Sequence, residues 1–211
     1  MDAIEEKFYF DEHIKNDIHI ILDLGGGSGR MASRFALIGK EVTIVENDDT
    51  AIEAGLLKCK LNYIKMDIIN YLKNAPGDTY DLVIANQVLS YFDSDQIATI
   101  IKEVARVLRK DKYFSFSFIN ERSYKKLVKN IIGKKQGISE KSLSLTVLRK
   151  IIKEYFQIDK MLGYNNIPFK RSSNSLLVKY FAFFEKYIFY FYNPYSHWFL
   201  ITLRKKSYDL V

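Results

Sequence analysis

The chain has one cysteine, Cys59, among 211 residues, so no disulfide can form within it. That usage suits a reducing compartment, and a cytoplasmic location is the expectation. Three histidines and one cysteine cannot assemble a zinc-ligand cluster of familiar spacing, so no metal is expected. The opening Met1-Asp2-Ala3-Ile4-Glu5-Glu6 is acidic and lacks the apolar stretch of a secretion signal. A comfortable membrane span is lacking too. The most aromatic segment, from Leu176 to Tyr192, is too short and is interrupted by Lys179 and Lys186.

What is present is an ordinary globular composition, 48% hydrophobic and 27% charged. The length suits one domain over 1–211 with a single substantial core. The formal net charge of +7 is concentrated between Arg122 and Lys153, where Lys125, Lys126, Lys129, Lys134, Lys135, Lys141, Arg149 and Lys150 are opposed by Glu140 alone. Such a stretch attracts nucleic acid, anionic lipid or a phosphorylated substrate, or it is a solvated helix face. The Leu176–Tyr192 segment, within a substrate-cover insertion expected near 164–195, reads as a lid, core packing, a lipid-facing patch or a homodimer surface.

Short apolar strands alternate with amphipathic helices, the pattern of a parallel α/β sheet. Strands are expected near 19–24, 42–46, 62–66, 81–86, 113–119, 156–162 and 197–204. A first helix should begin near Ser28, bury Met31, Phe35 and Ile38, and stop at Gly39. A second should follow the capping run Asp48-Asp49-Thr50. A third, Ser94 to Arg109, places Ile97, Ile101, Val104 and Leu108 on one face, and a later one aligns Leu145, Leu148, Ile152 and Tyr155.

The most informative run is Ile21-Leu22-Asp23-Leu24-Gly25-Gly26-Gly27-Ser28-Gly29-Arg30. It reads as a buried strand ending in an acid, a glycine turn, and a helix start. Such a turn lets backbone approach a ligand closely, and the helix aims unpaired N–H groups at the same place. The dinucleotide pattern fits badly, because its third glycine falls on Arg30 or Ala32. The spacing of Asp23, Gly25, Gly27 and Gly29 fits D-x-G-x-G-x-G without strain. Two further strands, Val42–Glu46 and Tyr63–Asp67, also end in acids, and Glu46 follows Gly29 by 17 residues. An acid at the second strand tip can accept hydrogen bonds from two ribose hydroxyls. Next come Tyr80–Leu89 and the helical stretch Ile97–Lys110.

These ordered elements resemble the class I S-adenosylmethionine-dependent methyltransferases of small-molecule type, well over residues 18–120 and loosely beyond. The resemblance implies a doubly wound, seven-stranded, mostly parallel sheet of order 3-2-1-4-5-7-6 with helices on both faces. It implies S-adenosylmethionine as cofactor and S-adenosylhomocysteine as product. By the same resemblance, Asp23 and the turn Gly25, Gly26, Gly27 and Gly29 hold the methionine part. Glu46 takes the ribose hydroxyls with Asn47 beside it, although Asn47 and Asp48 also suit a helix cap. Asp67 meets the adenine amine and Ile68 its ring. Asn86, next to Gln87, offers a backbone carbonyl to the methionine amino group, or is a simple turn residue.

The expected reaction is in-line methyl transfer to a small-molecule or lipid-linked acceptor. Alternatives are an RNA or protein acceptor met through the basic 122–153 region, a non-catalytic binding protein of this fold, or an NAD oxidoreductase. No catalytic residue is assigned. Tyr91 stands where many members of the family carry histidine, and His13, His197 and Glu121 are the remaining base candidates. The turn Asn86-Gln87-Val88-Leu89 lacks the two prolines of the amino-methylating DNA enzymes of this fold, which argues against methylation of DNA adenine or cytosine-N4. Phe8, Tyr9 and Phe10 either fold over the cofactor or pack on the sheet.

Overall fold

The computed structural model describes residues 2–11, 13, 17–57, 61–123, 144–164 and 196–207. Cys59, most of the basic segment and the aromatic 165–195 segment lie outside the described residues, and with them the lid, lipid and dimer readings.

Seven strands form one sheet: β1 (Ile20–Leu24), β2 (Glu41–Glu46), β3 (Asn62–Lys65), β4 (Tyr80–Ala85), β5 (Leu108–Ile119), β6 (Phe156–Tyr164) and β7 (Trp198–Lys205). Their order is β3-β2-β1-β4-β5-β7-β6, as the family resemblance implied, with β7 antiparallel to both β5 and β6. The described helices are α1 (Asp2–Glu6), α2 (Arg30–Leu37), α3 (Asp49–Leu56), α4 (Ile68–Asn74), α5 (Ser94–Val107) and α6 (Leu145–Ile152).

The strands read clearly because parallel strands covered on both faces are apolar on both. In β4, Val83 and Ala85 enter the core beneath α4 and α5, while Leu82 and Ile84 enter a second core with Met31, Phe35 and Tyr9. In β5 the alternation separates Phe114, Phe116 and Phe118, all in the first core, from Ser115 and Ser117, which are buried and hydrogen-bonded on the other face. Phe8 and Tyr9 pack on the sheet in the second core.

Three local expectations change. Helix α2 begins at Arg30, because Gly29 takes the N-cap position at φ 72°. Its last turn unwinds through Ile38, which is 41% exposed, and Gly39 follows at φ 79°, so Ile38 contributes no core contact. Helix α5, started by a reciprocal Asp93–Gln96 capping box, stops at Val107, and Leu108 is already strand. Among the described residues, no helix is long and apolar enough to cross a membrane.

Candidate functional site

Strand order reverses between β1 and β4, which pair in parallel at Asp23 and Ile84. Chains leaving β1 and β4 there diverge to opposite faces, opening a crevice beyond the carboxyl ends. A cavity of about 500 Å³ occupies this place. Gly25 and Gly27 line it from β1, Glu46 and Asn47 from β2, Asp67 and Ile68 from β3, and Asn86 and Gln87 from β4. Eight of the eleven expected binding residues therefore converge on one cavity, although the outermost, Gly25 and Gln87, are 62 residues apart in sequence.

The glycine turn is shaped by its surroundings. A Cβ on Gly25, Gly26 or Gly29 would come within 2.6, 2.7 and 2.4 Å of Val88, Asp23 and Leu61 respectively. A Cβ on Gly27 would meet nothing within 4 Å. Gly27 is held from two sides: its N–H donates to Glu46 Oε2 (2.9 Å) and its carbonyl accepts from the Tyr63 hydroxyl (3.1 Å). Tyr63 reaches it only because position 55 is glycine, where a Cβ would lie 2.0 Å from the phenol oxygen.

Glu46 organises the next rim. Its Oε1 accepts from the N–H groups of Asn47 (2.7 Å) and Asp48 (3.0 Å), while Oε2 ties down the glycine turn. Asp48 caps α3, accepting from Thr50 (2.9 Å) and Ala51 (3.4 Å). Asp67 caps α4 through Asn70 N–H (3.0 Å), and Ile68 closes the cavity floor at 8% exposure. The Asn86 side chain is engaged behind the turn, its Oδ1 accepting from Ser117 (3.0 Å) and Tyr9 (3.3 Å). Gln87 sits at φ 59° with its N–H donating to Ser117 Oγ (2.6 Å).

Residues 21–111 match the family model described as a methyltransferase domain. Over that stretch, which is less than half of the chain, the sequence is similar to a methyltransferase domain. A ribosomal protein L11 methyltransferase from Desulfitobacterium hafniense is 30% identical over 113 residues, 52% of this chain and 34% of that protein. The chain thus spans about a third of the length of that curated relative. Among solved structures, a SAM-dependent methyltransferase from Archaeoglobus fulgidus superposes with TM-score 0.69 at 17% identity, covering 98% of this chain and 95% of that one. The N-methyltransferase NodS from Bradyrhizobium japonicum gives 0.65 at 14% identity, covering 98% and 97%. Magnesium protoporphyrin IX methyltransferase from Synechocystis with bound S-adenosylhomocysteine gives 0.66 at 15% identity, covering 97% and 81%. These superpositions establish a shared fold.

The size and donors of the cavity suit a nucleoside-sized ligand. Its volume lies in the range of roughly 300–1,000 Å³ usual for small-ligand sites. The turn is closed around Gly25, Gly26 and Gly29 and open at Gly27, whose backbone borders the cavity. A carboxylate has about four lone-pair positions, and backbone donors use three of those on Glu46.

Asp23, Gly26 and Gly29 do not line the cavity, and Asp23 is only 2% exposed. Burial pushes the Asp23 carboxyl up from 3.8 to about 7, the Glu46 charge adds to this, and Arg30 opposes it. The folded state therefore holds a proton that the unfolded state releases. That contribution is complete below pH 4 and is lost as pH rises through 7, about 4 kcal/mol at most. We expect Asp23→Asn to gain stability relative to the parent between pH 5 and pH 8 in denaturant unfolding. A difference that does not change with pH would contradict this.

The base candidates separate. His13 is buried against Ser115 (2.7 Å), and burial, then Lys160, lowers it to about 3, so it stays neutral and structural. His197 bonds Ser123 (3.1 Å), Glu121 is exposed, and Tyr91 lines the cavity at 63% exposure. Sequence reasoning missed Tyr63, Gly55, Ser117 and Glu5. Gly55 carried a signal, since glycine inside a helix costs about 1 kcal/mol and marks a close approach.

Proposed function

We propose that this protein transfers the methyl group of S-adenosylmethionine to a small-molecule or lipid-linked acceptor, as a single domain over 1–211. The carrying observation is the convergence of Gly27, Glu46, Asp67 and Asn86 on one cavity at the switch point of a methyltransferase domain. Glu46 accepts from the ribose at the one lone pair that backbone donors leave. Asn47 flanks it, Asp67 accepts from the adenine amine and Ile68 supports the ring. Asn86 presents its backbone carbonyl, beside Gln87, to the methionine ammonium. The glycine turn, with Asp23 beside it, receives the rest of the methionine part.

The cofactor, when bound, supplies a methyl already activated on a sulfonium. The protein's work is then alignment of acceptor, methyl and sulfur rather than activation. No histidine follows β4 where many relatives have one, and this suits an acceptor that needs no proton removed during attack. Two structural neighbours carry names that point to small acceptors, a magnesium porphyrin and, as a possibility, histamine. The ribosomal protein methyltransferase match favours a protein acceptor as the second reading.

The test is transfer of labelled methyl from S-adenosylmethionine to separate pools of small metabolites, lipids, RNA and ribosomal proteins. Label in the metabolite or lipid pool supports the reading. Label confined to RNA or protein overturns the acceptor class but not the reaction.

A further inference from the structure

We infer that Glu5 is a positioning residue that clamps together the two turns flanking the cofactor cavity. The inference rests on the cofactor reading above, and its test is chosen to fail separately.

Glu5 lies on the short helix α1, and its side chain has no exposure. Its Oε1 accepts from Gln87 Nε2 (2.6 Å) and the Tyr164 hydroxyl (2.7 Å). Its Oε2 accepts from Arg30 Nη2 (3.0 Å) and Asn86 Nδ2 (3.3 Å). Four donors fill the roughly four lone-pair positions of a carboxylate. No capacity is left for a ligand, so the role is to position, not to bind.

The partners show what is positioned. Arg30 is the first residue of α2, directly after the glycine turn. Asn86 and Gln87 are the β4 turn. One buried carboxylate therefore joins the β1 rim of the cavity to its β4 rim, across the switch point. The β4 rim needs a brace, because Gln87 holds φ 59°, a conformation costly for a residue with a Cβ. Val88, the next residue, packs so close to Gly25 that a Cβ there would lie 2.6 Å from its methyl. Slippage of the β4 turn would therefore disturb the glycine turn as well.

A simple anchor for the N-terminal segment would not require a charge. Phe8 and Tyr9 already bury that segment in the second core. Burying a carboxylate is expensive unless every lone pair is satisfied, and here the satisfying groups are those that shape the site.

The experiment compares the full chain with Glu5→Gln, which keeps the shape, and with Phe8→Leu, which loosens the same segment away from the cavity. Three readouts are taken: S-adenosylhomocysteine affinity by calorimetry, amide exchange at Gln87 and Val88, and the thermal midpoint. Glu5→Gln is expected to weaken binding at least about tenfold and to speed exchange at those two amides by a similar factor. Phe8→Leu is expected to lower the midpoint while leaving both readouts within about twofold. If Glu5→Gln lowers only the midpoint, as Phe8→Leu does, the positioning role is overturned. If the parent chain binds no S-adenosylhomocysteine, the cofactor reading fails, and exchange at Gln87 and Val88 alone decides the clamp.

Discussion

Glu46→Ala is expected to weaken S-adenosylhomocysteine binding by about a hundredfold or more. The one charge-assisted hydrogen bond that Glu46 still has capacity to accept from the ribose contributes about 1.5–3 kcal/mol, and losing roughly 3 kcal/mol is two decades in Kd. The same substitution releases the N–H groups of Gly27, Asn47 and Asp48, so the glycine turn and the β2 tip lose their common tether. Glu46→Gln keeps one oxygen and the shape, and should fall between the two at about tenfold. Calorimetric titration of the three proteins checks the series. Parental affinity in Glu46→Ala would remove Glu46 from the site.

Gly27→Ala should separate binding from stability more cleanly than any other change in the turn. No atom lies within 4 Å of the added methyl, so its cost to folding is the left-handed strain at φ 55°, about 1–2 kcal/mol. The methyl instead fills the space where the ligand approaches the backbone, and affinity is expected to drop by about two orders of magnitude, equivalent to roughly 3 kcal/mol. Gly29→Ala should behave in the opposite sense. Its methyl would stand 2.4 Å from Leu61 and 2.8 Å from the Tyr63 hydroxyl, at φ 72°. Strain and overpacking together predict a stability loss of roughly 2–4 kcal/mol, seen as a lowered denaturation midpoint. A Gly27→Ala protein that binds like the parent would place the ligand elsewhere.

The difference between these two glycines marks the limit of what the chain reveals on its own. Their spacing from Asp23 is visible in sequence, and so is the acid at the end of each of three strands. The central strands β1, β2 and β4 were legible because burial on both faces makes them largely apolar. Helix α4 escaped notice because it is seven residues long and its cap, Asp67, was read for its chemistry instead. Ile38 has the right helical spacing for burial, but α2 has already unwound there and turns the side chain outward.

The supports of the site were not legible, because each acts across a long separation. Tyr63 braces Gly27 from 36 residues away, Ser117 holds the β4 turn from 30, and Glu5 meets Tyr164 across 159. No local pattern announces such a contact. Nothing in Met1-Asp2-Ala3-Ile4-Glu5-Glu6 separates Glu5 from Glu6, yet Glu5 is fully buried while Glu6 reaches the half-exposed Arg34. Only the folding of α1 across the sheet makes the distinction.

The central claim is that the cavity at the β1–β4 switch point holds an adenosylmethionine-type ligand and not a dinucleotide. The most direct measurement is calorimetric titration of the purified chain with S-adenosylmethionine, S-adenosylhomocysteine and NAD in parallel. The account predicts binding of both sulfur ligands with Kd on the order of micromolar, about −8 kcal/mol, and no heat from NAD. In one register of the dinucleotide turn the third glycine falls on Arg30, which weakens the NAD reading. Binding of NAD with comparable affinity, or silence from both sulfur ligands, would contradict the claim.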